Sequence, residues 1–200
     1  MIIFVLIILF FSIILHEVSH GVVALWNGDP TAKERKRLTL NPVSHVDLLG
    51  TLAVPFILAL LRSPMLFGWA KPVPFNPLRF RHLSFGVFSV SIAGPLTNLL
   101  LAFLFSLALR LELPVAWRPL FYYGASINVM LAIFNLLPIP PLDGSKVLAV
   151  SLPQKWRGPY LRFERWGILV LFVLMYFGWL EKLILPAYRL ILGKMVPAGS

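Results

Sequence analysis

Ile14-Leu15-His16-Glu17-Val18-Ser19-His20 is the stretch from which both the fold and the chemistry follow. Its spacing predicts a helix with both histidines on one face, because residues four apart in an α-helix lie one above the other. His16 and His20 can then each aim a ring nitrogen at a single ion. Glu17 sits about a third of a turn further round. That is too far for an equal ligand, but it suits a group that takes a proton from water held by the ion. Two neutral imidazoles and a carboxylate, with a fourth position open, form the donor set of a catalytic zinc site. Three fixed residues can coincide by chance, and the setting argues against it. Residues 1–15 carry no charge, and the H-E-x-x-H continues the same apolar run. Ionisable groups at membrane depth are costly and are kept for function.

Working outward, the 200 residues are 58% hydrophobic and 13% charged, with a mean hydropathy of +0.84. A soluble domain has about 45–50% apolar and about 25% charged residues. The chain reads as an integral membrane protein with a single domain over residues 1–200: a catalytic core at about 1–150, then a C-terminal span and tail at 151–200. The net charge of +10 does not point to nucleic acid. The basic residues fall in short loops beside apolar spans, where they set orientation and meet anionic head groups. The absence of cysteine excludes thiolate ligands, disulfides and thiol catalysis. The N-terminal run has no basic leader and no small-residue cleavage site, so it reads as a retained span rather than a signal peptide.

Apolar runs predict an α-helical polytopic protein with about four spanning helices, at 2–26, 86–109, about 119–137 and about 166–180. The stretch 48–61 is apolar but short and broken by Gly50 and Pro55, which suits a segment that dips in and returns. Residues 68–82 are Pro-rich and basic, hence loop or short strand. Residues 183–192 read as an amphipathic helix lying at the interface, and 197–200 as an added tail outside the fold.

A third ligand emerges by elimination. Among the acidic residues other than Glu17, only Asp143 stands at the end of an apolar span in a Pro-broken segment, Asn135-Leu-Leu-Pro138-Ile-Pro140-Pro141-Leu-Asp143-Gly144. If Asp143 joins His16 and His20, the first and third spans run parallel and the second returns between them. Residues 27–85 must then begin and end on one face. Charge agrees: 13 of the 18 Lys and Arg fall on the metal side, which assigns that side to the cytoplasm and the N-terminus to the outside of the cell membrane.

The pair His16-Glu17-x-x-His20 and Asn135-x-x-Pro138-x-Pro140-x-Leu142-Asp143-Gly144 resembles the site-2 protease family of intramembrane zinc metalloproteases. Asn41-Pro42 to Asp47 with Gly50-Thr51, Lys71-Pro72-Val73 and Ala93-Gly94-Pro95-x-x-Asn98 fit the same family, in its compact prokaryotic form without PDZ or CBS domains. The resemblance covers most of residues 10–150. It implies one zinc ion per chain held by His16, His20 and Asp143, with Glu17 as general base and acid. It also implies a membrane-associated β-region, matched here to the irregular 38–83 segment.

The expected activity is therefore zinc-dependent hydrolysis of peptide bonds in transmembrane protein or peptide substrates, within the lipid bilayer. A helical substrate must unwind, and the 38–83 segment could offer it a strand edge, with Asn135 touching its backbone. The alternative for Asn135 is a helix-end cap or an interhelical hydrogen bond. His45 and His82 lie in polar loops and suit surface or supporting roles. Asn98 and Asn128, mid-span, suit interhelical hydrogen bonds first and site support second. Two other classes compete. A metal transporter would need chelating groups along several spans, yet 86–109 and 166–180 hold no acid or histidine. A non-catalytic membrane chaperone would have no use for Glu17. Oligomeric state and substrate identity are not encoded in any motif.

Overall fold

The computed structural model describes residues 1–60, 70–112 and 114–196, which are mostly helical. In chain order the helices are α1 (Ile2–Trp26), α2 (Thr31–Glu34), α3 (Val54–Leu60), α4 (Leu83–Ala108), α5 (Arg118–Asn135), α6 (Asp143–Ser151), α7 (Gln154–Arg162), α8 (Glu164–Tyr176) and α9 (Trp179–Met195). Helix α1 is an unbroken run of 25 residues without proline. It stops where Asn27 donates its amide to the Val23 carbonyl at 2.8 Å and Gly28 takes a φ of +103°, a conformation that glycine adopts without strain.

Helices α1, α4 and α5 form the centre, and side-chain contacts fix their directions. Ser12 of α1 meets Asn128 of α5, His16 meets Asn98 of α4, and His20 meets Val90 of α4. Numbers rise along α1 as they fall along α4, and α5 leads on to Asp143 beside His16. So α1 and α5 run parallel with α4 antiparallel between them, as the elimination argument requires. Small residues allow the close approach. A Cβ on Gly124 would lie 2.6 Å from the Phe105 ring, and Ala102, Ala125 and Val129 are fully buried nearby with Leu192 of α9.

Two parts of the expected architecture are not reproduced among the described residues. Among the described residues, α1 and α4 are long and apolar enough to span a membrane, and a third span, short of the four expected, results if α8 and α9 are one span bent by 81°. Helix α5 carries Arg118, two tyrosines, Gly124, Ser126, Asn128 and Asn135; Asn128 is spent inside the bundle and Ser126 on Tyr188 of α9, while Arg118 and Tyr123 are exposed. The 38–83 segment contains no strand among the described residues. Prolines at 42, 72, 74 and 77 remove ladder donors. Asn41, Asp47 and Asn76 take up the neighbouring N–H groups of Val43, Leu49, Gly50 and Leu78 in local turns. The amphipathic stretch expected at 183–192 lies within α9, which packs on α5 through Leu192 and beside Leu171 through Leu180 and Ile184. Residues 48–53 form a π-helical turn that runs into α3. The return expected beyond it, and the tail at 197–200, lie outside the described residues.

Candidate metal centre

His16 and His20 sit one turn apart on α1, both buried, with Nε2 atoms 3.1 Å apart. Asp143, the first residue of α6, brings Oδ2 to 3.1 Å from each of them. These are the three groups that the sequence placed together, across 127 positions between His16 and Asp143.

The imidazoles cannot swing away. His16 Nδ1 lies 2.6 Å from Asn98 Oδ1, and His20 Nδ1 lies 2.7 Å from the Val90 carbonyl. The Asn98 amide nitrogen is turned to Asn128 Oδ1 at 2.9 Å, so its oxygen faces the histidine. The Asn128 amide in turn donates to Ser12 Oγ and to the Gly124 carbonyl, both at 2.9 Å. A fully buried polar chain thus crosses α1, α4 and α5 and ends on one ring nitrogen. Both partners of the Nδ1 atoms are acceptors, so both Nδ1 atoms carry hydrogen and both Nε2 atoms present lone pairs.

Two lone pairs and a carboxylate oxygen therefore converge at 3.1 Å separations. One proton can join one pair of these atoms but not all three. A divalent cation satisfies them together, and a tetrahedron with bonds of about 2.0–2.1 Å has edges of about 3.3 Å. Gly94 completes the cradle. A Cβ there would stand 2.4 Å from His16 Cε1, 2.5 Å from His16 Nε2 and 2.6 Å from His20 Nε2. The donor set and the space both fit zinc.

Asp143 is delivered by a loop gripped from several sides. A Cβ on Gly144 would meet the Leu136 carbonyl oxygen at 2.1 Å, and one on Gly167 of α8 would meet the Pro140 carbonyl oxygen at 1.5 Å. The Tyr160 hydroxyl of α7 donates to the Pro138 carbonyl at 2.7 Å. On its second oxygen, Asp143 Oδ1, the carboxylate meets Lys146 Nζ at 3.3 Å.

Glu17 is half-buried, and its Oε2 accepts the Val73 N–H at 2.8 Å. Val73 belongs to an extended strap, residues 70–76, laid over the Glu17 and Gly21 side of α1. Its other anchors are Lys71 N–H to the His45 carbonyl at 2.9 Å, Arg37 to the Lys71 carbonyl at 2.9 Å, and Asn76 N–H to Asp29 at 2.5 Å. Gly21 leaves room for it, since a Cβ there would lie 2.8 Å from Val73 Cγ1.

The remaining candidates lie apart from the triad. Asn135 donates to the Leu131 carbonyl at 2.9 Å, the helix-end bond that was one alternative for it. His45 is fully buried and donates Nε2–H to the Thr39 carbonyl at 2.8 Å, holding the loop before α3. His82 is exposed at the start of α4. Sequence reasoning missed Ser12, the Val90 carbonyl, Val73 and Lys146. Only the small-residue run before Asn98 hinted at Gly94.

A family profile described as "Peptidase family M50" matches residues 112–178, the stretch that contains Asp143 but not the histidines. "Putative zinc metalloprotease YwhC" of Bacillus subtilis is 36% identical over 98% of this chain and 87% of its own. "Putative zinc metalloprotease Rip2" of Mycolicibacterium smegmatis is 32% identical over 82% of the chain and 63% of its own length. "Zinc metalloprotease MJ0392" of Methanocaldococcus jannaschii is 24% identical over 75% of the chain and 34% of its own length. No solved structure matches the chain. The chain is a membrane protein with a metallopeptidase-like histidine pair, and it belongs to peptidase family M50, the site-2 protease family.

Proposed function

We propose that this chain is a zinc-dependent endopeptidase that cuts membrane-embedded protein segments, with one ion held by His16, His20 and Asp143. The convergence of three acceptor atoms at 3.1 Å, with both Nδ1 atoms already committed as donors, carries this reading. Zinc in such a site acidifies water and polarises the scissile carbonyl. Glu17 takes the proton of the attacking water and returns it to the departing amine. The Val73 N–H on Oε2 holds the Glu17 side chain in one rotamer, on the helical turn that carries His16 and His20. Asn98, Asn128 and Ser12 keep His16 in the tautomer whose Nε2 is free. Asn135 contacts substrate backbone in this reading, and its bond to Leu131 is then a resting arrangement; Asn135→Ala with unchanged turnover would remove that role. A helical substrate hides its amides, so it unwinds locally before cleavage. The basic loops put the centre toward the cytoplasm and the N-terminus outside the cell membrane.

The test is Glu17→Gln purified in detergent. It should retain zinc and lose cleavage of a membrane-spanning reporter, whereas His16→Ala should lose both. Cleavage surviving in Glu17→Gln refutes the mechanism.

A further inference from the structure

We infer that Lys146 is a positioning residue that holds Asp143 to a single-oxygen grip on the ion and so keeps one coordination position open for the reaction. This rests on the metal reading of the triad. The two carboxylate oxygens of Asp143 are divided between neighbours: Oδ2 faces both imidazoles at 3.1 Å, and Oδ1 faces Lys146 Nζ at 3.3 Å. Left free, Oδ1 lies one C–C rotation from the ion and can occupy the position that water and substrate need.

An ordinary ion pair three residues apart on a helix would give the same distance, but three observations set this one apart. The carboxylate is 10% exposed while the Lys146 side chain is 34% exposed, so the ammonium reaches in from solvent to an oxygen that is largely shielded from water. Lys146 stands in the first turn of α6, where the helix dipole disfavours a cation, so helix stability does not explain it. The ammonium also lies 5.8 Å from the centre of the Phe75 ring, within cation–π range. Phe75 is part of the strap whose Val73 holds Glu17. Lys146 therefore joins the ligand loop to the strap that orients the base, and its place is fixed from both sides.

The experiment uses full-length protein in detergent loaded with Co2+ in place of zinc, read by visible absorption, where higher coordination weakens the d–d bands. Lys146→Met should bind the ion with weakened bands, and zinc-loaded turnover should fall about 10–100-fold, the usual effect of losing a group behind a ligand. Lys146→Arg should keep both. The chain has no cysteine, so Lys146→Cys offers a single thiol. Alkylation with bromoethylamine, which rebuilds the ammonium, should restore the bands; alkylation with iodoacetamide should not. Unchanged bands in Lys146→Met, or no difference between the two alkylated forms, overturns the inference while leaving the metal reading intact. Wild-type protein that binds neither Co2+ nor zinc overturns both.

Discussion

Replacing Gly94 with alanine puts a single methyl group against both histidine rings of the metal centre. The new carbon would stand 2.4–2.6 Å from His16 Cε1, His16 Nε2 and His20 Nε2, where ordinary contact begins at 3.4 Å. Relief therefore requires shifts of about 0.8–1.0 Å, and the imidazoles have nowhere to go. Their Nδ1 atoms are tied to Asn98 and to the Val90 carbonyl. Metal–ligand distances tolerate about ±0.2 Å, so a displacement of this size forfeits at least one ligand. Overpacking at such a point costs about 1–3 kcal/mol, which is about 5- to 150-fold in zinc affinity at 1.4 kcal/mol per tenfold. Chelator competition against purified Gly94→Ala measures it directly. Wild-type zinc affinity in that variant would refute the reasoning, because it would mean that α4 or the histidines can yield without disturbing the donor geometry.

Asn98→Leu removes the acceptor on His16 Nδ1 and strands the Asn128 carbonyl oxygen, so zinc affinity should fall about 10–100-fold; the same chelator competition checks it. Gly167→Ala drives a Cβ to 1.5 Å from a backbone oxygen of the loop that delivers Asp143. It should cost about 1–3 kcal/mol by thermal unfolding in detergent. Gly158→Ala on α7, with nothing within 4 Å, should be neutral or slightly stabilising. Burial alone would push the Asp29 carboxyl up, but hydrogen bonds from Thr31 and Asn76 outweigh it and hold the group below the usual carboxylate range. A carboxylate so depressed contributes stability that is complete above its unfolded value of about 3.9 and is lost as pH falls through the lower folded value. Tm should therefore drop as pH falls below about 4, and Asp29→Asn should lower Tm at neutral pH and flatten that drop.

The sequence disclosed the triad because metal chemistry leaves few alternatives. Two histidines at helical spacing need a third donor, and Asp143 was the one acid placed at the end of a span. The directions of α1, α4 and α5 followed from that requirement together with the loop charges. The number of crossings was harder to read. An 18-residue helix such as α5 mixes apolar residues with Arg118, Asn128 and Asn135, so its length and composition alone leave it short of the clear spans α1 and α4. The 38–83 segment misled for a local reason. Extended prolines resemble an edge strand, yet Asn41, Asp47 and Asn76 close the backbone into turns without any partner strand. The role of Val73 could not be read because its contact, Glu17, lies 56 positions away, and that of Lys146 because a lysine three residues after an acid reads as an ordinary surface ion pair.

The buried polar chain from Ser12 through Asn128 and Asn98 to His16 also bears on biogenesis. Its four residues come from three helices, α1, α4 and α5, and Asp143 arrives 127 positions after His16. A ribosome that has delivered α1 and α4 has made two histidines but no carboxylate to join them. Competence thus arrives late in synthesis, and a partly inserted chain is silent toward its neighbours in the bilayer.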